Sequence, residues 1–132
     1  MNSPKIDIKP FGTHSLLIEW PNEVSELILE KILQFQTFLN SEALKERDWE
    51  LVPAYNSLLI LNRKKEIDFE KMSVDIQNWY ANLKESVKPD RFLWRLPVTY
   101  DLEFGLDLED VAGQLNKTKR EIIDLHTGST YT

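Results

Sequence analysis

The 132 residues of this chain suffice for one compact domain with an appendage, and 42% hydrophobic with 29% charged residues predicts that it folds. The sequence contains no cysteine, which excludes disulfides, thiolate metal sites and cysteine nucleophiles. Its formal net charge of -6 opposes the phosphate backbone, so nucleic acid is not an expected partner.

Metal, nucleotide and membrane binding also find little support. The two histidines, His14 and His126, form no His-x-x-x-His or Glu-x-x-His pattern, so the only metal site left open is a magnesium site built from carboxylates. The four glycines form no phosphate-binding loop, and we expect no ATP or other cofactor on this chain. The sequence has neither a long apolar run nor an N-terminal signal peptide, which predicts a cytoplasmic protein without a membrane segment.

The first predicted elements are a hairpin of two strands and a helix. Gly12 and Thr13 lie at the turn of the hairpin, and Asn22 is predicted to cap the helix, which extends to about Lys45. In the two strands, apolar residues recur with a period of two, at Ile6, Ile8, Leu16, Ile18 and Trp20. In the helix they recur with the helical period, at Val24, Leu27, Ile28, Ile32, Phe35 and Leu39.

A second pair of strands is predicted over residues 49–54 and 57–62, and a second helix follows, capped by Asp68. The order ββαββα predicts an α+β fold, a two-layer sandwich with both helices on one face of an antiparallel sheet. We assign this domain to residues 1–89. The apolar face of its second helix is made of Phe69, Met72, Ile76, Trp79, Tyr80 and Leu83.

Residues 90–132 are predicted to begin a second domain, with the boundary at Pro89 and Asp90. A fifth strand is predicted over residues 92–100, a short helix over residues 107–115 that Asp107 caps, and a helix from Thr118 to Gly128 that a capping box opens. Four aromatic residues are expected in the core, namely Trp79, Tyr80, Trp94 and Tyr100.

Residues 96–112, LPVTYDLEFGLDLEDVA, resemble the signature P-V-x-Y-x-x-x-x-G-P-D-L-x-x-V-A of the allophanate-hydrolase-subunit-1-like family. That family includes the small subunit of bacterial 5-oxoprolinase and inhibitors of a sporulation histidine kinase. Residues 52–59 resemble its V-P-x-Y-x-S-L-L strand, and residues 118–127 resemble its helix that leads to a histidine. The sequence departs from the family at Thr13, where Asp is common, at Leu106, where Pro is usual, and at residues 116–117, where Asn-Lys replaces Gly-Leu.

The resemblance implies that a cyclophilin-like β-barrel follows the first domain and that this chain stops before the barrel is complete. It also implies a larger carboxyltransferase-like partner subunit, with ATP used at the level of the complex. His126 then occupies the place of the family histidine, and the residues expected to bind substrate or partner are Tyr100, Glu103, Asp107 and Tyr131.

Several alternatives remain open on the sequence. His126 is either a general base or substrate ligand, or a histidine that interacts favourably with a helix end. The carboxylates between Asp101 and Asp110 are better explained as helix-dipole partners than as a metal site. The chain is either an enzyme subunit, an inhibitor of a histidine kinase, or an interaction module that pairs with a second copy. The fragment is expected to be inactive by itself.

Overall fold

The computed structural model describes residues 4–84 and 92–131. The chain divides into two compact units, Met1–Asp90 and Arg91–Thr132, and each is described by itself. The predicted boundary at Pro89 and Asp90 lies outside the described residues. No helix in the described part of the chain is long and apolar enough to cross a membrane.

The first unit contains four strands and two α-helices in the order ββαββα, which confirms the predicted α+β class. The strands are β1 (Asp7–Pro10), β2 (Ser15–Glu19), β3 (Trp49–Pro53) and β4 (Ser57–Asn62). The helices are α1 (Glu26–Phe38), continued by a π-helical turn over Leu39–Ala43, and α2 (Phe69–Ala81). The strands form one antiparallel sheet in the order β1-β2-β4-β3.

The core lies on one face of this sheet, against the two helices. Alternate residues of the two central strands, among them Ile18 and Leu58, are fully buried, as their period of two requires. Trp20 donates an indole hydrogen bond to the Tyr80 hydroxyl at 3.0 Å, and burial raises the pKa of Tyr80. The buried residues of this hydrophobic core are Leu16, Ile18, Trp20, Ile28, Ile32, Phe35, Leu39, Leu44, Leu58, Ile60, Ile76 and Tyr80.

Both edges of the sheet carry a proline. Phe11 donates its amide to Ser15 at 3.0 Å and Ala54 donates to Ser57 at 2.8 Å. Because hydrogen-bonded and non-bonded pairs alternate along an antiparallel ladder, the neighbouring residues Pro10 and Pro53 face the free edges. Proline has no N–H, so each edge lacks one donor for a further strand.

The start of α1 differs from the prediction. The helix begins after Ser25, which is extended with φ -140° and ψ 124°, and not after Asn22. The Asn22 side chain accepts a hydrogen bond from the Tyr55 hydroxyl at 2.8 Å, so its carboxamide oxygen has a tertiary partner. Val24 and Leu27 were predicted to share the apolar face of this helix. Val24 instead precedes the helix, and the two residues are 88% and 72% exposed.

The second unit contains α3 (Leu108–Gln114) and α4 (Lys119–Gly128), whereas residues 92–100 belong to no helix or strand. The predicted fifth strand is thus not present in the described part of the chain. Trp94 is 78% exposed, so its assignment to the core was wrong. The apolar alternation is real, but a strand exists only when its backbone pairs with another strand.

The helix ends of the second unit follow recognisable capping rules. The predicted capping box of α4 is confirmed, since Thr118 and Glu121 bond each other's backbone amides. Asp107 stands at the N-cap position of α3, but its side chain makes no capping bond. At the other end of α3, Asn116 has φ 50°, and the amides of Asn116 and Lys117 return to the carbonyls of Gly113 and Ala112 at 3.2 and 2.9 Å. This is a Schellman motif, which satisfies the last carbonyls of α3.

Candidate functional site

Three of the five candidate site residues lie together in the second unit. The Tyr100 hydroxyl is hydrogen-bonded to Nδ1 of His126, and the two rings meet edge to face with their centroids 5.8 Å apart. On the other side, the Tyr131 ring lies 5.5 Å from the imidazole, and its hydroxyl donates to the His126 carbonyl at 3.2 Å. We call Tyr100, His126 and Tyr131 the tyrosine–histidine cluster.

A tight turn after residue 100 positions Tyr100. The Asp101 carbonyl accepts the amides of Phe104 and Gly105, both at 2.8 Å, and the Thr99 hydroxyl donates to the Asp101 carboxylate at 3.1 Å. A Cβ on Gly105 would lie 3.2 Å from the Tyr100 carbonyl oxygen, closer than most side chains approach a backbone. The glycine of the family signature therefore permits the close approach that holds Tyr100.

The helix α4 positions His126 in its last turn. At the start of this helix, the Glu121 carboxylate accepts the Thr118 backbone amide at 2.7 Å and the Thr118 hydroxyl at 2.8 Å. These two hydrogen bonds, the backbone one foremost, lower the pKa of Glu121. An ion pair between Lys119 and Glu109 joins α4 to α3.

The acidic candidates do not join the cluster. The structure places Glu103 and Asp107 on the exposed surface of the second unit, and neither takes part in the hydrogen bonds of the cluster among residues 92–131. Residues 4–84 and 92–131 also contain no group of three metal-ligating side chains close enough to hold an ion. The loop after Tyr100 therefore has no metal geometry in the described residues.

The cluster is suited to binding and proton chemistry at an open surface. An imidazole with one nitrogen occupied by a hydroxyl presents the other nitrogen to a ligand, and the two flanking phenol rings restrict the rotation of the imidazole. His126 and Tyr131 are exposed and Tyr100 is half-buried, so a ligand can reach the ring. Both the ligand role and the helix-end role of His126 are compatible with this position at the end of α4.

The first unit has a surface depression that the sequence did not predict, at the point where β1 begins and β2 ends. The volume of this depression is about 860 Å³. Within it, the Glu19 carboxylate accepts a hydrogen bond from the ammonium of Lys9 and raises the pKa of Lys9. The charged lining residues are two lysines and two carboxylates, Lys5, Lys9, Asp7 and Glu19, so their formal charges sum to zero. Its lining residues are separated in the sequence, so no local motif predicts the depression. They include Lys5, Lys9, Trp20, Asn22 and Tyr55.

Known proteins are similar to this chain over most of its length. A family model described as the carboxyltransferase domain, subdomains C and D, matches residues 6–132. The chain is 25% identical over 137 residues to a 5-oxoprolinase subunit of Bacillus subtilis, a match that covers 96% of this chain and 57% of that protein.

A solved structure also matches, that of a conserved uncharacterized protein from Pyrococcus horikoshii. The sequence identity is 26% and the TM-score is 0.50, with 93% of this chain and 56% of the other covered. The chain thus spans a little over half the length of both of these relatives.

Proposed function

Because the chain belongs to the family of carboxyltransferase domains, subdomains C and D, we propose that it is part of the small subunit of a 5-oxoprolinase-type complex. The observation that carries this proposal is the family match over residues 6–132, together with the similarity to the 5-oxoprolinase subunit of Bacillus subtilis. The tyrosine–histidine cluster supports it, because residues of the signature and of the histidine helix meet there.

In this proposal the reaction opens the lactam ring of 5-oxoproline to glutamate, driven by ATP that a partner protein binds. This chain contributes binding groups, and a larger carboxyltransferase-like subunit completes the active site. His126 is the proposed catalytic or substrate-binding residue, with Tyr100 and Tyr131 beside it. Glu103 and Asp107, which lie outside the cluster, are proposed to contact the partner subunit through their exposed carboxylates.

The remainder of the small subunit is proposed to supply the cyclophilin-like barrel to which residues 92–100 add a strand. The support is the apolar alternation of this segment and the exposure of its side chains, from 55% at Val98 to 78% at Phe92. A barrel would pair the backbone of this segment on both sides and cover the apolar side chains. The proposed chemistry thus requires more than this chain.

Reconstitution tests the proposal. The small subunit that contains this chain is combined with the large subunit and the ATP-binding protein of the same organism, and 5-oxoproline consumption is measured with and without ATP. We expect turnover only when all components are present. Unchanged turnover after omission of the small subunit would contradict the proposal, and inhibition of a histidine kinase would then become the leading hypothesis.

His126 is tested in the same assay with a matched control. His126→Leu removes the imidazole from the cluster, and we expect turnover to fall by at least about a hundredfold, as for the loss of one transition-state hydrogen-bond donor. His14→Gln changes the other histidine, which contacts Thr13 in the first unit, and should retain turnover. Equal effects of the two substitutions would remove His126 from the proposed site.

A further inference from the structure

The contact between Tyr100 and His126 determines which imidazole nitrogen is free. The Tyr100 hydroxyl meets Nδ1, and Nε2 lies on the opposite side of the ring. Nε2 has no hydrogen-bond partner within residues 4–84 and 92–131, and His126 is exposed. A ligand that approaches His126 therefore meets Nε2.

The chemistry of the two groups gives this hydrogen bond a direction. A phenolic O–H is a better donor than a neutral imidazole N–H, and the lone pair of an imidazole nitrogen is a better acceptor than a phenolic oxygen. The Tyr100 hydroxyl therefore donates and Nδ1 accepts. In the neutral ring the remaining proton is then on Nε2, because each neutral imidazole carries one proton.

Protonation of the ring does not change what Nε2 offers. The cation carries hydrogens on both nitrogens, and Nδ1 then donates to the Tyr100 oxygen. In both charge states Nε2 is a donor, so it has no free lone pair to act as a base.

We propose that His126 is a hydrogen-bond donor to an oxygen of the substrate, a carboxylate or a lactam carbonyl, and not a general base. Tyr100 and Tyr131 are its positioning residues: Tyr100 fixes the tautomer, and Tyr131 fixes the backbone by donating to the His126 carbonyl at 3.2 Å. The identity of the substrate rests on the function proposed above, whereas the tautomer does not.

Nitrogen-15 NMR of the histidine rings tests the tautomer in this chain alone. We expect neutral His126 to carry its proton on Nε2, with the Nδ1 resonance displaced by its hydrogen bond. Tyr100→Phe should move Nδ1 toward the position of a free imidazole, whereas Tyr131→Phe, which loses only a backbone contact, should move it less. A proton on Nδ1 in the unsubstituted protein, or no response to Tyr100→Phe, would overturn the proposal. His14 provides the internal reference.

Turnover in the reconstituted complex distinguishes a donor from a base. His126→Gln places an amide N–H near the position of Nε2 but supplies no base. We expect it to keep turnover within about tenfold of the unsubstituted enzyme, whereas His126→Leu loses at least about a hundredfold. Equal loss in the Gln and Leu variants would show that the ring acts as a base. Tyr100→Phe should raise KM more than it lowers kcat.

The substrate oxygen is identified with two probes. 5-Oxoproline carries both a carboxylate and a lactam carbonyl, whereas 2-pyrrolidinone carries the lactam alone. Displacement of the Nε2 resonance by both compounds indicates the carbonyl, and displacement by 5-oxoproline alone indicates the carboxylate. Absence of any displacement in the assembled complex would overturn the ligand role. If the complex consumes no 5-oxoproline, the proposed function fails, while the tautomer experiment still decides the geometry.

Discussion

At the scale of single residues, Asn116 explains one departure from the family pattern. The family usually has glycine here, and the backbone has φ 50° in the left-handed region. Glycine has no steric cost in this region, and asparagine is among the residues that tolerate it best. The replacement of glycine by asparagine thus preserves the Schellman motif that ends α3.

Two substitutions of Asn116 should affect the stability of the second unit differently. Asn116→Gly is expected to be neutral or to stabilise slightly, whereas Asn116→Val, with a branched Cβ, should destabilise the second unit by about 1–2 kcal/mol. Amide hydrogen exchange of α3 measures the effect. Equal protection in both variants would contradict the strain argument.

The hydrogen bond between Trp20 and Tyr80 is a buried polar contact of the first unit. Tyr80→Phe removes the acceptor of a buried indole N–H, and an unsatisfied buried donor costs about 1–3 kcal/mol. We expect the urea midpoint to fall accordingly. The matched control is Tyr55→Phe, whose exposed hydroxyl bonds Asn22 and should contribute less. A smaller effect at Tyr80 than at Tyr55 would contradict the interpretation.

At the scale of elements, helix caps with a complete side-chain pattern could be read from the sequence. Asp68 accepts the Lys71 amide at 3.1 Å, and Thr118 and Glu121 form their box, both as predicted. The start of α1 could not be predicted, because Asn22 forms a hydrogen bond with Tyr55 that is distant in sequence. Local capping rules contain no information about such partners.

The capping box should make α4 sensitive to acid. The pKa of Glu121 is lowered in the folded protein, so its contribution to stability is present above the ordinary glutamate pKa and is lost as the pH falls through the lowered value. We expect the amides of the first turn of α4 to lose exchange protection in that range. Glu121→Gln should remove most of this pH dependence. Unchanged dependence in Glu121→Gln would assign it to another group.

The resemblance gave the residues of the candidate site as an expectation, whereas the sequence did not predict which of them lie together. The resemblance placed Tyr100, His126 and Tyr131 in motifs, but contact between residues 26 positions apart depends on the turn at Asp101 and the packing of α4. For residues 92–100, in contrast, the sequence predicted a strand that the structure does not contain. Their alternation predicts a strand, yet the sequence of a segment does not specify whether a pairing strand is present.

At the scale of the whole molecule, the two units differ in how they cover apolar surface. Among the residues that the structure describes, the first unit has eight fully buried large side chains, whereas the second has a single buried hydrophobic residue, Ala112. Large apolar side chains of residues 92–106 are exposed, among them Phe92, Trp94, Leu96, Leu102 and Leu106. Exposed apolar patches of this kind are typical of protein–protein contacts.

We therefore expect the isolated chain to associate as its concentration rises. Sedimentation velocity should show larger species, and the double variant Trp94→Glu, Leu96→Lys should reduce them because charges oppose burial. Val24→Lys is the control, since Val24 is more exposed than Trp94 and Leu96 but lies in the first unit. Association that Val24→Lys reduces and the double variant does not would place the contact in the first unit.

Pro10 and Pro53 bear on which proteins this chain can join. A strand that extends a sheet uses backbone groups common to all sequences, and such pairing discriminates poorly between partners. With a donor missing at each rim, the sheet of this unit is a poor template for that mode, so recognition must rely on side chains. Contacts made by side chains differ between homologous proteins, because each substitution at the contact changes them. Homologous complexes within one cell would then be expected to keep their own subunits, without exchange between them.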